Sequence, residues 1–174
     1  MGTTPEMQAG ITSEMVGGGA SWVGDAGMTS ELQGGNHVGD AGAEALAAAL
    51  RDANCKLHTL QVARNGVGAA GAEALAAALR DANCNLHTLD IAINDVRDAG
   101  AVALAAALGD ANCKLHTLQV AYNCVGAAGA VVLAAALRDA NCKLHTLNIA
   151  SDACGMGRGW EMQTITSELQ GRRR

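Results

Sequence analysis

Residues 57–67 read LHTLQVARNGV and residues 69–79 read AAGAEALAAAL, and these two stretches carry different hydrophobic periods. In the first, Leu57, Leu60 and Val62 are apolar, and Leu60 and Val62 alternate with Thr59, Gln61 and Ala63 as in a short half-buried strand. In the second, Ala72, Leu75, Ala76 and Leu79 fall at i, i+3, i+4 and i+7. They share one helix face, with Glu73 and Arg80 directed away from it. The intervening NGVGAAG is a polar turn with glycine available where the backbone needs a positive φ. One strand and one helix cannot bury their apolar faces alone, so the pattern predicts stacking on neighbouring copies.

Those copies are present. Four consecutive units of 29 residues start at Asn36, Asn65, Asn94 and Asn123 and occupy residues 36–151, with Cys55, Cys84, Cys113 and Cys142 at the same place in each. A fixed period of this length is the mark of a solenoid. Within it, Leu57-x-x-Leu60-x-Val62-x-x-Asn65-x-Val67 resembles the leucine-rich repeat pattern L-x-x-L-x-L-x-x-N-x-L, with Val for Leu at two places. The pattern recurs from Leu86 and Leu115 and degrades from Leu144, where Asp152 and Cys154 replace Asn and Val. The helix-bearing half, VGAAGAEALAAAL, is similar to the ribonuclease-inhibitor-like subclass, also found in Ran GTPase-activating proteins and NOD-like receptors. The resemblance implies an α/β solenoid, a short horseshoe with parallel strands on its concave side and helices on its convex side. It also implies a protein partner, but family members bind many unrelated proteins and none of their contact residues carries over.

Composition points the same way. Among 174 residues there are 37 Ala and 22 Gly but one Tyr, two Trp and no Phe, so the core must be built from Leu, Val and Ala. So few aromatics argue against a deep ligand pocket and against base stacking. A net charge of -5 argues against a grip on nucleic-acid phosphates. The apolar stretches are too short to span a bilayer, and MGTTPEMQAG has neither the basic nor the apolar region of a secretory signal. The periodic cysteines read as buried and reduced, so an intracellular, cytoplasmic protein is expected.

The flanks divide the chain into a degenerate cap or leader over 1–35, the repeats over 36–151, and a C-terminal cap and basic tail over 152–174. Met28 lies eight residues before Asn36, as Leu57 lies before Asn65, so residues 28–33 take the place of a strand. That alignment sets Glu31 and Gln33 where inward Leu and Val belong. ITSEMVG from Ile11, MTSELQG from Met28 and ITSELQG from Ile165 echo one another at the two ends.

No catalytic constellation, cofactor fingerprint or metal set is expected. Cys-x-x-His occurs four times, from Cys55, Cys84, Cys113 and Cys142, and two thiolates with two imidazoles would suit zinc. In an extended segment, however, residues three apart face opposite sides, which favours buried Cys and edge His in stacked columns. Stacked histidines should resist joint protonation, making stability fall below about pH 6.

Since the units are nearly identical, their differences mark positions that packing does not dictate. Those in the strand and loop columns are Gln61, Asp90, Gln119, Asn148, Arg64, Ile93, Tyr122 and Asp95, and with Thr59 they form the expected partner-binding surface. On the helical side Val102 and Val131 stand where other units have Glu44 and Glu73, a second candidate patch. The expected function is a non-catalytic protein-protein binding or scaffolding module. A structural subunit of a larger assembly and a regulator of a partner enzyme, inhibitor or activator, are the alternatives.

Overall fold

The computed structural model describes residues 20–23, 28–32 and 36–150. Strands β1 (Ala20–Val23) and β2 (Met28–Leu32) are followed by alternating elements: α1 (Gly39–Leu50), β3 (Leu57–Gln61), α2 (Ala69–Leu79), β4 (Thr88–Asp90), α3 (Arg97–Leu108), β5 (Thr117–Gln119), α4 (Ala127–Ala136) and β6 (Thr146–Asn148). The six strands form one sheet in chain order. From β2 to β6 all pairings are parallel, while β1 is antiparallel to β2. The four helices cover one side of this sheet, so the chain is an α/β solenoid with strands on the concave side and helices on the convex side.

The core lies between the layers and follows the two periods. Leu60, Val62, Leu89, Ile91, Leu118 and Val120 from the strand side are buried against Leu75, Leu79, Leu104 and Leu108 from the helices. Alanine lets the helices come close. At Gly129 an added Cβ would stand 2.7 Å from Asp98 Oδ1, 2.8 Å from Val125 Cγ1 and 3.0 Å from Ala101 Cβ, so only glycine fits there.

Where each strand ends, the chain turns through the interior and its backbone groups need partners. The repeat Asn supplies them. Asn94 Oδ1 accepts from Asn65 N and Val67 N, each at 3.0 Å, and its Nδ2 donates to Val62 O, Ile91 O and Ala92 O at 3.0, 2.8 and 3.2 Å. Asn123 repeats this one unit on, to Ile91 O, Val120 O and Ala121 O, and accepts from Val96 N at 3.3 Å. A second polar column joins the loops after the helices. Asn83, Asn112 and Asn141 each donate 3.1 Å from Nδ2 to a carbonyl of the preceding unit, that of Arg51, Arg80 and Gly109 respectively.

The helix starts alternate, which the 29-residue period hides. α1 and α3 begin one repeat position earlier than α2 and α4, and only their units carry an acid there, Asp40 and Asp98. Each acid reaches into the next unit and caps its helix. Asp40 Oδ1 accepts from Gly68 N and Gly71 N at 2.7 and 2.8 Å, and Asp98 Oδ1 from Gly126 N and Gly129 N at 2.8 and 3.0 Å. α2 and α4 have no side-chain cap of their own, so their first amides and positive dipole ends depend on the carboxylate of the preceding unit.

At the N-terminal edge the register differs from the spacing-based expectation. Met28 pairs with Leu57, but a shift after it sets Thr29 opposite Thr59, Ser30 opposite Leu60 and Glu31 opposite Gln61. The one-residue shift pairs Glu31 with Gln61 instead of Leu60. Gln33 lies outside the described residues.

Asp98→Ala should remove the cap of α4 at a cost of about 1 kcal/mol, lowering the melting temperature by about 2–4 °C. Asp98→Asn, which keeps an acceptor oxygen, should recover most of the loss in the same thermal melt.

Candidate functional site

Strand pairing lines up the expected columns. Thr59, Thr88, Thr117 and Thr146 lie side by side, as do Gln61, Asp90, Gln119 and Asn148. These outward side chains are half-buried, apart from the exposed Thr146. Asp90 Oδ1 accepts from Ala92 N at 2.9 Å and Asn148 Oδ1 from Ala150 N at 3.3 Å, which fixes both. Gln61 and Gln119 make no side-chain hydrogen bond to the described residues, so their amides remain available to a ligand.

The loop column forms the rim of this face, and its backbone is unusual. Arg64, Ile93 and Tyr122 have φ of 59, 56 and 57°, the left-handed region. No glycine stands at this position in any unit, although the sequence suggested that glycines would serve the positive-φ sites. The conformation is enforced by the neighbouring unit: the amides of Arg64, Ile93 and Tyr122 donate to Ala92 O, Ala121 O and Ala150 O at 3.1, 2.8 and 2.7 Å. Holding an L-residue this way costs about 1–2 kcal/mol, most for β-branched Ile93. The same turn directs the side chains outward, leaving Ile93 41% and Tyr122 48% exposed.

The acids of the third unit do not act together. Asp95 pairs with Arg97, Oδ2 to Nη2 at 2.6 Å and Oδ1 to Nε at 2.9 Å, and this bond holds its carboxyl below the usual range. Asp98 instead serves the cap of α4. Arg97 itself has a φ of 56°.

Beside the threonines, His58, His87, His116 and His145 form a column with ring centroids 5.0, 5.0 and 5.1 Å apart, the first two pairs tilted and the last stacked. Cys84 and Cys113 are buried, and burial pushes both thiols up, away from the thiolate a metal ligand or nucleophile needs. Among the described residues no group of three or more His, Cys, Asp or Glu is arranged to hold a metal ion. The four repeat cysteines are free, whereas Cys124, outside their column, is disulfide-bonded. Disulfides belong to oxidising compartments, so the intracellular expectation rests on the repeat cysteines alone.

The family model for the leucine rich repeat matches residues 34–47, 53–76, 82–105 and 111–134. The chain is a leucine-rich-repeat protein. No curated protein matches it. Leucine-rich repeats are commonly protein-binding modules, and this one offers two faces. On the convex side of the repeats Val102 is 46% and Val131 68% exposed. Val132, at a position that is Ala45, Ala74 and Ala103 in the other repeats, is a third exposed valine which comparison of the Glu-bearing column alone did not reveal. No described helix of this leucine-rich-repeat protein is long and apolar enough to cross a membrane.

Two outcomes follow from this geometry. Ile93→Asn places a residue that tolerates left-handed φ at a half-exposed site, and should raise stability by about 1 kcal/mol, seen as a melting temperature higher by about 2–4 °C. For the histidines the sign comes from His116, whose pKa is lowered by burial first, then by His87, His145 and Lys143. The unfolded chain therefore binds the proton more readily, and stability is lost as pH falls below about 6.5. Asp95 and Asp110, held low by Arg97 and by the Asn112 amide with Arg80 respectively, stay ionised through this window. The protein should melt lower at pH 5 than at pH 7.5, and His116→Gln should narrow that gap. Equal melting temperatures at the two pH values would exclude the effect.

Proposed function

We propose that this protein is a non-catalytic protein-protein binding or scaffolding module whose partner lies across the strand face and its rim. The contact would be made by Thr59, Gln61, Arg64, Asp90, Ile93, Asp95, Gln119, Tyr122 and Asn148. The observation that carries this reading is the exposure of Ile93 and Tyr122 on left-handed backbone. The two large apolar side chains of the rim are kept out of the core at a cost in stability, beside a polar column with two unengaged Gln amides. Strain of this kind concentrates where function requires it, and aromatic anchors dominate binding energy at interfaces. Membership of the ribonuclease-inhibitor-like subclass is part of the proposal, supported by a convex α-helix of 10 to 12 residues in every repeat.

A second reading, a structural subunit of a larger assembly, is favoured by Val102, Val131 and Val132 on the convex side. Affinity capture from the native source separates the two. A partner enriched by the native chain, lost with Ile93→Ser/Tyr122→Ala and kept by Val102→Glu/Val131→Glu supports binding at the rim. The opposite pattern assigns the contact to the convex face and overturns the proposal.

A further inference from the structure

The histidine column at the start of the strand layer is tied together by the backbone. His87 N donates to His58 O, His116 N to His87 O and His145 N to His116 O, each at 2.8 Å. The rings inherit this register, with centres 5.0, 5.0 and 5.1 Å apart. His58, His87 and His116 are half-buried, and their ring nitrogens form no hydrogen bond to the described residues. Two adjacent imidazoles held at a fixed distance, each with an unengaged nitrogen, are a bidentate chelate, and imidazole suits zinc, copper and nickel.

Ring orientation separates the three neighbouring pairs. A nitrogen lone pair lies in the plane of its ring, so a shared metal must sit where two planes cross. The planes of His58 and His87 cross at 57° and those of His87 and His116 at 43°, whereas His116 and His145 are stacked at 3° and do not converge. A zinc–nitrogen bond of about 2.0–2.1 Å sets the metal about 3.2 Å from each ring centre. Centres 5.0 Å apart then subtend about 100° at the metal, close to the tetrahedral angle that zinc takes. A square-planar cis pair, as copper(II) prefers, would need centres about 4.5 Å apart.

Charge separates the two tilted pairs. The lysines before the strands reach back one repeat. Lys143 Nζ donates to Ala111 O and Cys113 O at 3.0 Å, and after burial and the neighbouring histidines its charge helps to lower the pKa of His116. Lys114 Nζ donates to Ala82 O and Asn85 Oδ1 at 3.1 and 2.9 Å. The residue that reaches back to the repeat of His58 is the neutral Asn85, whose Nδ2 donates to Cys55 O at 3.3 Å. His58 and His87 therefore have one such lysine behind them, and His87 and His116 have two.

We propose that His58 and His87 bind one zinc ion, with its two remaining positions taken by water or by a side chain of a partner. Among the described residues no third ligand joins them, so binding is weaker and more reversible than at a four-ligand structural site. The site does not depend on which partner the rim binds.

Calorimetric titration of the full-length, EDTA-treated chain with zinc chloride at about pH 7.5, where imidazole is neutral, tests the proposal. One ion should bind per chain. His58→Gln and His87→Gln should each weaken binding about tenfold or more, whereas His145→Gln, at the stacked end, should leave it unchanged. In NMR spectra of the native chain, which need no variant to fold, zinc should shift the ring C–H signals of His58 and His87 and leave those of His145 in place. Zinc that shifts neither ring, or binding that His58→Gln and His87→Gln leave unchanged, overturns the proposal. Binding lost in His116→Gln but kept in His58→Gln also overturns it, and assigns the ion to the other tilted pair.

Discussion

The structure depends on an asparagine repeated every 29 residues, buried at Asn65 and Asn123 and half-buried at Asn94. At the end of each strand the chain must turn inside the molecule, where water cannot satisfy the backbone. One carboxamide suits the task because it presents acceptor and donors on a single rigid plane, so Asn94 engages amides of the preceding repeat while donating to carbonyls that follow two successive strands. This sets the distance and rotation between neighbours, and everything else is copied from that step. Leu60, Leu89 and Leu118 fall into line, as does the column of histidines, because the register is fixed at the strand end. An Asp cannot replace the donor side of this arrangement, and a Leu would leave several backbone groups without partners.

Helices made almost wholly of alanine, leucine and glycine carry few polar side chains for holding their own ends. The solution runs between repeats rather than within them. Asp40 and Asp98 cap the helix that follows, and the polar loops behind the helices are tied by Asn83, Asn112 and Asn141 to carbonyls one repeat back. An isolated repeat would therefore lose its hydrophobic neighbours and also the caps of its helix. Such interdependence is why a quasi-one-dimensional fold needs several units and distinct ends.

The periods of two and 3.6 residues were legible in the sequence, and with them the strands, the helices and the buried columns. Thr59, Gln61, Asp90, Gln119 and Asn148 were also legible as one face, since strand alternation alone dictates it. The left-handed rim was not. Arg64, Ile93 and Tyr122 carry no local signature of positive φ, because the conformation is imposed by a hydrogen bond to a residue 28 positions away. Asp98 carries no local sign of its capping role for the same reason, since its partners are amides of the next repeat. The displaced register of β2 likewise depends on a shift that spacing from Asn36 does not encode. Each of these features comes from contact between repeats, whereas each feature that could be read lies inside one repeat.

The same distinction shows where a partner can be recognised. A residue dictated by the repeat is engaged with its copies and has little left to offer another molecule. Gln61 and Gln119 escape because their strand position needs only something polar and outward. Ile93 and Tyr122 escape for a stronger reason. Since the turn is enforced by backbone hydrogen bonds, the side chain there is free to vary without endangering the fold, yet is held in one direction. Asparagine or glycine would satisfy that backbone at lower cost, so folding alone does not account for isoleucine and tyrosine at this position. What they add is apolar surface, 41% and 48% exposed, aimed outward at the rim by a backbone that cannot relax. Preorganisation of that kind lowers the entropy cost of association.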